Sequence, residues 1–208
     1  LESRRSGIGL MQKRPARWKE AGLSTARVLQ MPCVRVMLAT VFLEGLAMFG
    51  AFAFIGADLH HRFGLNLGTI GLMLSSLAIG AFAYVFASTW LVRNMGQAGL
   101  VAWGSVGIAL GYVVLSLMPA AWCAPPAIAV IGLGFYMFHN TLQTNATQMA
   151  PDARGLAMSL FAFTLFTGQS AGVALAAPLV DRFGARPVYV GTAALILGVA
   201  FWFRARLM

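Results

Sequence analysis

The sequence predicts an all-α membrane protein in which six transmembrane helices form two repeats of three helices. Composition is the first observation behind this fold class. Of the 208 residues, 59% are hydrophobic and 10% are charged, whereas about 25% of the residues of a typical soluble domain are charged. The second observation is a series of six apolar segments, most of which reach the ~20 residues that a helix needs to span a bilayer. The apolar–polar alternation of β-barrel strands does not recur in them.

A basic leader precedes the apolar segments. Residues 1–35 are predicted to form a cytoplasmic linker or tail, with a short surface helix at Thr25–Gln30, and residues 36–208 to form the six-helix transmembrane domain. The chain begins with Leu1 rather than methionine, and its leader is longer than that of a signal peptide. We therefore expect the leader to be an inter-domain linker and the chain to be part of a longer protein.

Short connections separate the six segments, so consecutive helices are expected to be antiparallel neighbours. Pro126 and Pro187 stand at segment starts, where a missing N–H has no cost, and Asp152 is a candidate N-cap for the fifth helix. The predicted segments are Val36–Ala57, Leu67–Val92, Gly99–Met118, Ala127–Gln148, Gly155–Val180 and Pro187–Phe203. The predicted connections are Asp58–Asn66, Arg93–Ala98, Pro119–Pro126, Met149–Arg154 and Asp181–Arg186.

The distribution of cations predicts the orientation. Counted over alternate connections, twelve of the fifteen lysines and arginines fall on one side of the membrane and three on the other. The positive-inside rule then places both termini in the cytoplasm, with the chain crossing the plasma or inner membrane several times. No nucleic-acid partner is expected, because the cations lie in the leader and singly at segment ends rather than on a continuous basic face.

A sequence similarity within the chain indicates two equivalent three-helix units. Leu91–Gly96 follows the second segment and Leu179–Gly184 follows the fifth, and both runs begin with Leu-Val and end with Gly. The offset between them is 88 residues, and the same offset relates Gly80 to Gly168. Repeats of this kind are typical of membrane transporters.

Glu44 is the only acid well inside an apolar segment. Ionisable residues are costly within a membrane, so the default hypothesis for one is functional. Thr40, Glu44, Ala47 and Ala51 share one face of a helix, which is small and polar and is expected to point into the bundle. The functional hypothesis is that Glu44 binds a proton on one side and releases it on the other. The alternative is a structural acid that hydroxyls or amides cap.

The fourth segment carries the densest set of polar residues. His139 lies at a depth similar to that of Glu44, so the two can share a proton if their helices face each other; otherwise His139 is a hydrogen-bonded bundle residue. Amides and hydroxyls nearby are either ligand contacts or interhelical hydrogen bonds. The substrate-binding candidates are Tyr136, Asn140 and Gln143 in the fourth segment, and Thr167 and Gln169 in the fifth.

Enzymatic chemistry has no support in the motifs. The sequence contains no nucleophile elbow, P-loop or zinc-protease pattern. The neighbouring His60 and His61 fall in one predicted loop with no other ligand near in sequence, which does not make a metal site. We therefore predict a non-enzyme without a metal or cofactor.

A recognisable motif follows the fifth segment. Pro178–Pro187, which contains Asp181, Arg182, Gly184 and Arg186, is similar to the Gly-x-Leu-x-Asp-Arg-x-Gly-Arg loop signature of the major facilitator superfamily. That signature usually follows the second helix on the cytoplasmic side, where Leu91–Gly96 lacks the acid. With the six segments and basic leader, the chain resembles the C-terminal six-helix half of such a transporter. Thr147–Gly172 resembles the sugar- and drug-efflux branch, whose members include drug:proton antiporters.

The resemblance implies proton-coupled efflux of a small molecule by alternating access, within the lipid bilayer. The partners that it implies are a small-molecule substrate, protons and an N-terminal six-helix half that supplies the other wall of the pathway. One alternative is a half-size transporter in which a second copy of the chain takes that place. Another alternative is a non-transport integral membrane protein, such as an assembly partner or receptor.

Overall fold

The computed structural model of the chain describes residues 29–149 and 153–207. Almost all of the basic leader, most of the predicted helix at Thr25–Gln30 and the candidate cap Asp152 lie outside these ranges. Within them the secondary structure is helical throughout, as the sequence predicts.

Seven α-helices occupy the described residues. Proline opens α1 at its first position, where its fixed φ suits a helix start, and a short 3₁₀ turn at Ala121–Cys123 leads into α5. The helices are α1 Pro32–Phe52, α2 Ile55–Phe63, α3 Leu67–Leu74, α4 Ser76–Leu117, α5 Ala124–Met149, α6 Arg154–Phe183 and α7 Ala185–Leu207.

Five helical stretches of the described residues are long and apolar enough to cross a membrane. They are Pro32–Phe63, Leu67–Leu117, Ala121–Gln148, Arg154–Phe183 and Ala185–Arg206. The chain is therefore a multi-pass membrane protein. The predicted connection Arg93–Ala98 is in the right place but too long, because only Gly96 departs from helical geometry there.

Gly96 divides α4 into two helical parts. Its φ of 62° lies in the left-handed region, which glycine adopts without a Cβ clash. A straight helix of 42 residues would be ~63 Å long, about twice the hydrocarbon thickness. Gly80, before the break, abuts the backbone of Ala129 in α5, and Gly111, after it, abuts the side chain of Ile131. Because both parts meet the same stretch of α5, the chain reverses direction at Gly96.

Two other predicted connections are shorter in the structure. Most of Asp58–Asn66 is helical, since α2 continues to Phe63 and ends at Gly64, whose φ is 66°. Helix α3 starts three residues later. The side chain of Asn66 caps its N-terminus by accepting a hydrogen bond from the Thr69 amide. The predicted connection Asp181–Arg186 is wrong over most of its length, since only Gly184 stands between α6 and α7.

Close contacts between helix backbones occur at glycines. Helix α1 packs mainly on α6 and α7, and α4 packs on α5 and α7. Gly168 and Gly172 of α6 abut the backbones of Phe42 and Leu46 in α1, so these two small residues permit close helix contact. Gly71 makes no such contact, because a Cβ placed on it would meet no atom within 4 Å.

Arg62 joins the end of α2 to the end of α4. Its guanidinium pairs with Asp58 at 3.1 Å, and it also donates to the carbonyl oxygens of Leu115 at 3.1 Å and Met118 at 2.7 Å. The last carbonyls of a helix have no partner within the helix, so Arg62 supplies one for α4. From the sequence alone, Arg62 is only one of the three cations on the less basic side of the membrane.

Replacing Arg62 with glutamine is expected to destabilise the fold by about 3 kcal/mol, because the Asp58 side chain, which is only 8% exposed, is left without its counter-ion. Thermal unfolding of the purified chain in detergent measures the change. The matched control is Arg182→Gln, at an exposed arginine for which the described residues offer no ion pair; its effect should stay within about 0.5 kcal/mol. Equal melting temperatures for Arg62→Gln and the unsubstituted chain would contradict the proposed clamp.

Candidate functional site

An acid–imidazole pair lies at the centre of the bundle. Glu44 of α1 and His139 of α5 approach to 3.1 Å between Oε2 and Nδ1. A hydrogen bond at this distance requires one proton between the two atoms, held either by the imidazole nitrogen or by the carboxyl group. The structure thus brings together the two residues that the sequence placed at similar depth.

Burial differs between the two partners. The Glu44 side chain is 0% exposed and that of His139 is 14% exposed. Within the described part of the chain, Oε1 of Glu44 has no hydrogen-bond partner. A carboxylate in this position is poorly solvated, and His139 is the hydrogen-bond partner that the described residues give it.

Aromatic rings hold His139 in place. Phe135, one turn earlier on α5, stacks on the imidazole with ring centroids 4.9 Å apart. Phe161 of α6 meets it edge-on at 5.3 Å, and Phe49 of α1 packs edge-on against Phe135 at 5.4 Å. The site therefore draws on three helices, and its rings leave the imidazole one polar partner among the described side chains, the Glu44 carboxylate.

The face predicted to point into the bundle does so. Thr40, Glu44, Ala47 and Ala51 are all buried. The Thr40 hydroxyl donates to the carbonyl oxygen of Val36 at 2.8 Å. It therefore does not cap Glu44, and the only hydrogen bond to that carboxylate from the described residues comes from His139.

Three substrate-binding candidates lie along the more open face of α5. Tyr136, Asn140 and Gln143 are partly exposed at helical spacing. Tyr136 lies against Tyr84 of α4, with ring centroids 6.4 Å apart. Asn140 and Gln143 form no side-chain hydrogen bond within the described residues, so the structure offers no interhelical partner for either amide.

The two candidates of α6 have different surroundings. Thr167 is exposed, and its hydroxyl donates to the carbonyl oxygen of Phe163 in its own helix at 2.7 Å. Gln169 is partly buried, and its backbone lies close to Gly45 of α1. Neither residue contacts the Glu44–His139 pair in the hydrogen bonds of the described chain.

The motif residues lie at the C-terminal end of α6 and the start of α7. Asp181 and Arg182 belong to its last turn, Gly184 is the single linking residue with a φ of 76°, and Arg186 begins α7. All four are exposed. The loop that the signature predicts here is therefore wrong over most of its length, since only Gly184 lies outside a helix.

The sequence does not predict the aromatic residues that surround the site. Phe135 precedes His139 by four residues, a spacing that places both side chains on one helical face and was available from the sequence. Phe161 comes from a distant segment, and no local pattern indicates its contact with His139.

Comparison with known proteins gives one match. The model of the Major Facilitator Superfamily matches residues 3–173, which is more than half of the chain. No curated protein and no solved structure matches the chain.

Proposed function

Since the chain belongs to the major facilitator superfamily, a family of membrane transporters, we propose that it couples the efflux of a small molecule to proton entry. The observation that carries this proposal is the 3.1 Å pair of Glu44 and His139, with the acid fully buried and the imidazole partly open. Ionisable residues within a membrane domain mark substrate or proton pathways more often than they stabilise packing.

In the proposed cycle His139 relays protons and Glu44 stores them. When the pathway opens to the outside, a proton enters through the exposed edge of His139 and passes along the hydrogen bond to Glu44. When it opens to the inside, the proton leaves by the same edge. Substrate binds on the open face of α5, where Tyr136 offers a ring and Asn140 and Gln143 offer amides; Thr167 and Gln169 of α6 are proposed as further substrate contacts.

Six membrane crossings in two triplets are part of the proposal. Two pairs of contacts support them. The carbonyl of Leu77 abuts Gly132, and the carbonyl of Leu165, which is 88 residues after Leu77, abuts Gly45. In the same way Gly80 abuts Ala129 and Gly168 abuts Phe42. Contacts related by a nearly constant offset are expected when two triplets share one architecture.

A second six-helix unit is proposed to complete the pathway, either as an N-terminal half or as a second copy. In support of this, only 22% of the most apolar part of α6 is buried within the chain, and the same share holds for Leu67–Leu117. For Pro32–Phe63 the buried share is 50%. We further propose that both termini lie in the cytoplasm of the cell membrane and that residues 1–35 form the linker. The exposed Phe163, Phe166 and Thr167 then face either the second unit or lipid.

Proteoliposomes test the function directly. We expect a substrate from a panel of sugars, amino acids and amphipathic drugs to drive proton movement, read by a pH dye inside the vesicles, once a second unit is present. Vesicles holding one monomer each should show no such movement, because half of the pathway wall is absent. Substrate-driven proton flux by verified monomers would refute the need for a second unit, and the absence of any proton movement with a transported substrate would refute proton coupling.

A further inference from the structure

An apolar cleft lies at the end of the bundle where α6 meets α7. It has a volume of about 320 Å³, and its walls come from α1, α6 and α7. Representative lining residues are Gly50, Ala51, Gly172, Leu179, Pro187 and Gly191. Among the lining residues Thr192 alone has a polar side chain, and its hydroxyl already donates to the Ala47 carbonyl at 3.2 Å. The cleft therefore suits a hydrocarbon occupant.

The cleft opens beside two exposed arginines. The guanidinium of Arg182 lies over the ring of Phe183 at 5.7 Å from its centroid, and Phe183 is itself a wall of the cleft. Arg186 directly precedes Pro187, another wall residue, and is exposed. Asp181 is the exposed acid of this end, so the three side chains carry a net charge of +1. Hydrocarbon walls below and cations at the mouth match the two parts of an anionic lipid.

We propose that this cleft binds a phospholipid, with one acyl chain between α6 and α7 and the headgroup phosphate between Arg182 and Arg186. Arginine is well suited to phosphate, because its planar guanidinium can donate two parallel hydrogen bonds. Cations at the membrane surface attract anionic lipid, whereas the apolar walls confer no preference for charge. The inference is independent of the transported substrate and of proton coupling.

The structure offers a matched pair of glycines for the test. Gly191 lines the cleft, and a Cβ placed on it would meet no atom within 4 Å. Gly198 has the same free space and follows seven residues later on α7, which places it on nearly the same helical face but outside the cleft. Gly191→Leu thus fills the cleft without a clash, and Gly198→Leu makes the same chemical change elsewhere.

The arginines have matched controls as well. Arg93 and Arg206 are exposed and lie toward the other end of the bundle, where Ala98 approaches the end of α7 around Arg204. The double variant R93Q/R206Q removes the same charge as R182Q/R186Q. All four arginine sites are exposed, so none of these changes should affect folding, which a melting curve checks.

The experiment is native mass spectrometry of the purified chain in detergent, incubated with increasing phosphatidylglycerol. We expect one lipid to persist on the unsubstituted chain, and Gly191→Leu and R182Q/R186Q each to lower its retention roughly tenfold. Gly198→Leu and R93Q/R206Q should leave retention unchanged. Equal retention by Gly191→Leu and the unsubstituted chain would overturn the proposal, as would equal losses in the two arginine doubles. A dimer that Gly191→Leu abolishes, with lipid retention unchanged, would assign the cleft to a second copy instead.

Discussion

Glu44→Gln is expected to lower pH-driven transport by roughly a hundredfold or more while the chain still inserts and folds. Glutamine has the shape of the glutamate side chain and can still hydrogen-bond to His139, so the packing around Phe135 and Phe161 should persist. The amide of glutamine cannot bind and release a proton, so a proton gradient can no longer drive transport. The measurement is substrate movement in proteoliposomes under an imposed pH gradient.

Exchange without a pH gradient provides the second readout. Substrate counterflow between equal pH values requires only binding and alternating access, so Glu44→Gln should retain it. Asp181→Asn is the matched control, because it removes an exposed acid from the end of α6 and should leave both readouts unchanged. If Glu44→Gln keeps full pH-driven transport, Glu44 is a structural acid and the proposed coupling is wrong.

Gly172→Leu is expected to prevent accumulation of folded protein. A Cβ at this position collides with the backbone of Leu46 in α1, and a backbone cannot rotate away as a side chain can. Ordinary overpacking costs about 1–3 kcal/mol, and separating two helices that also frame the Glu44–His139 site should cost more. The yield of monodisperse protein and its melting temperature in detergent measure the effect.

Gly71→Leu is the control for this prediction. The space around Gly71 is open within the chain, so the change should leave the monomer's melting temperature almost unaltered. If Gly172→Leu melts at the same temperature as Gly71→Leu, the close packing of α1 and α6 is not a major source of stability.

Sequence reasoning went furthest where one helix face carries the information. The burial of Thr40, Glu44, Ala47 and Ala51 follows from a period of 3.6 residues, since lipid excludes an acid from the outer face. The contact between Glu44 and His139 was a conditional hypothesis, because depth along a helix is readable from sequence whereas the facing of two helices is not. The close approach of α1 and α6 at Gly45, Gly168 and Gly172 is a tertiary contact of the same kind.

Helix ends were predicted less well, for local reasons. The run from Asp58 to Phe63 contains polar side chains, which predict a connection, but Asp58 and Arg62 are four residues apart and pair along a helix. The turn at Gly96 needs only one residue with a left-handed φ, so a six-residue loop was too long. The part played by Phe161 depends on tertiary contact alone.

The near-repetition of contacts at an offset of 88 residues bears on energy conversion. Between α1 and α5 the offset is 87, because Gly132 meets Leu77 as Gly45 meets Leu165. The position equivalent to Glu44 is then Ile131, which is buried and apolar, so the proposed second triplet has no equivalent carboxylate. A transporter driven through Glu44 alone takes up one proton per cycle. For an uncharged substrate, its accumulation ratio is then limited to about tenfold per pH unit, with a further ~2.3 kcal/mol for each 100 mV of membrane potential.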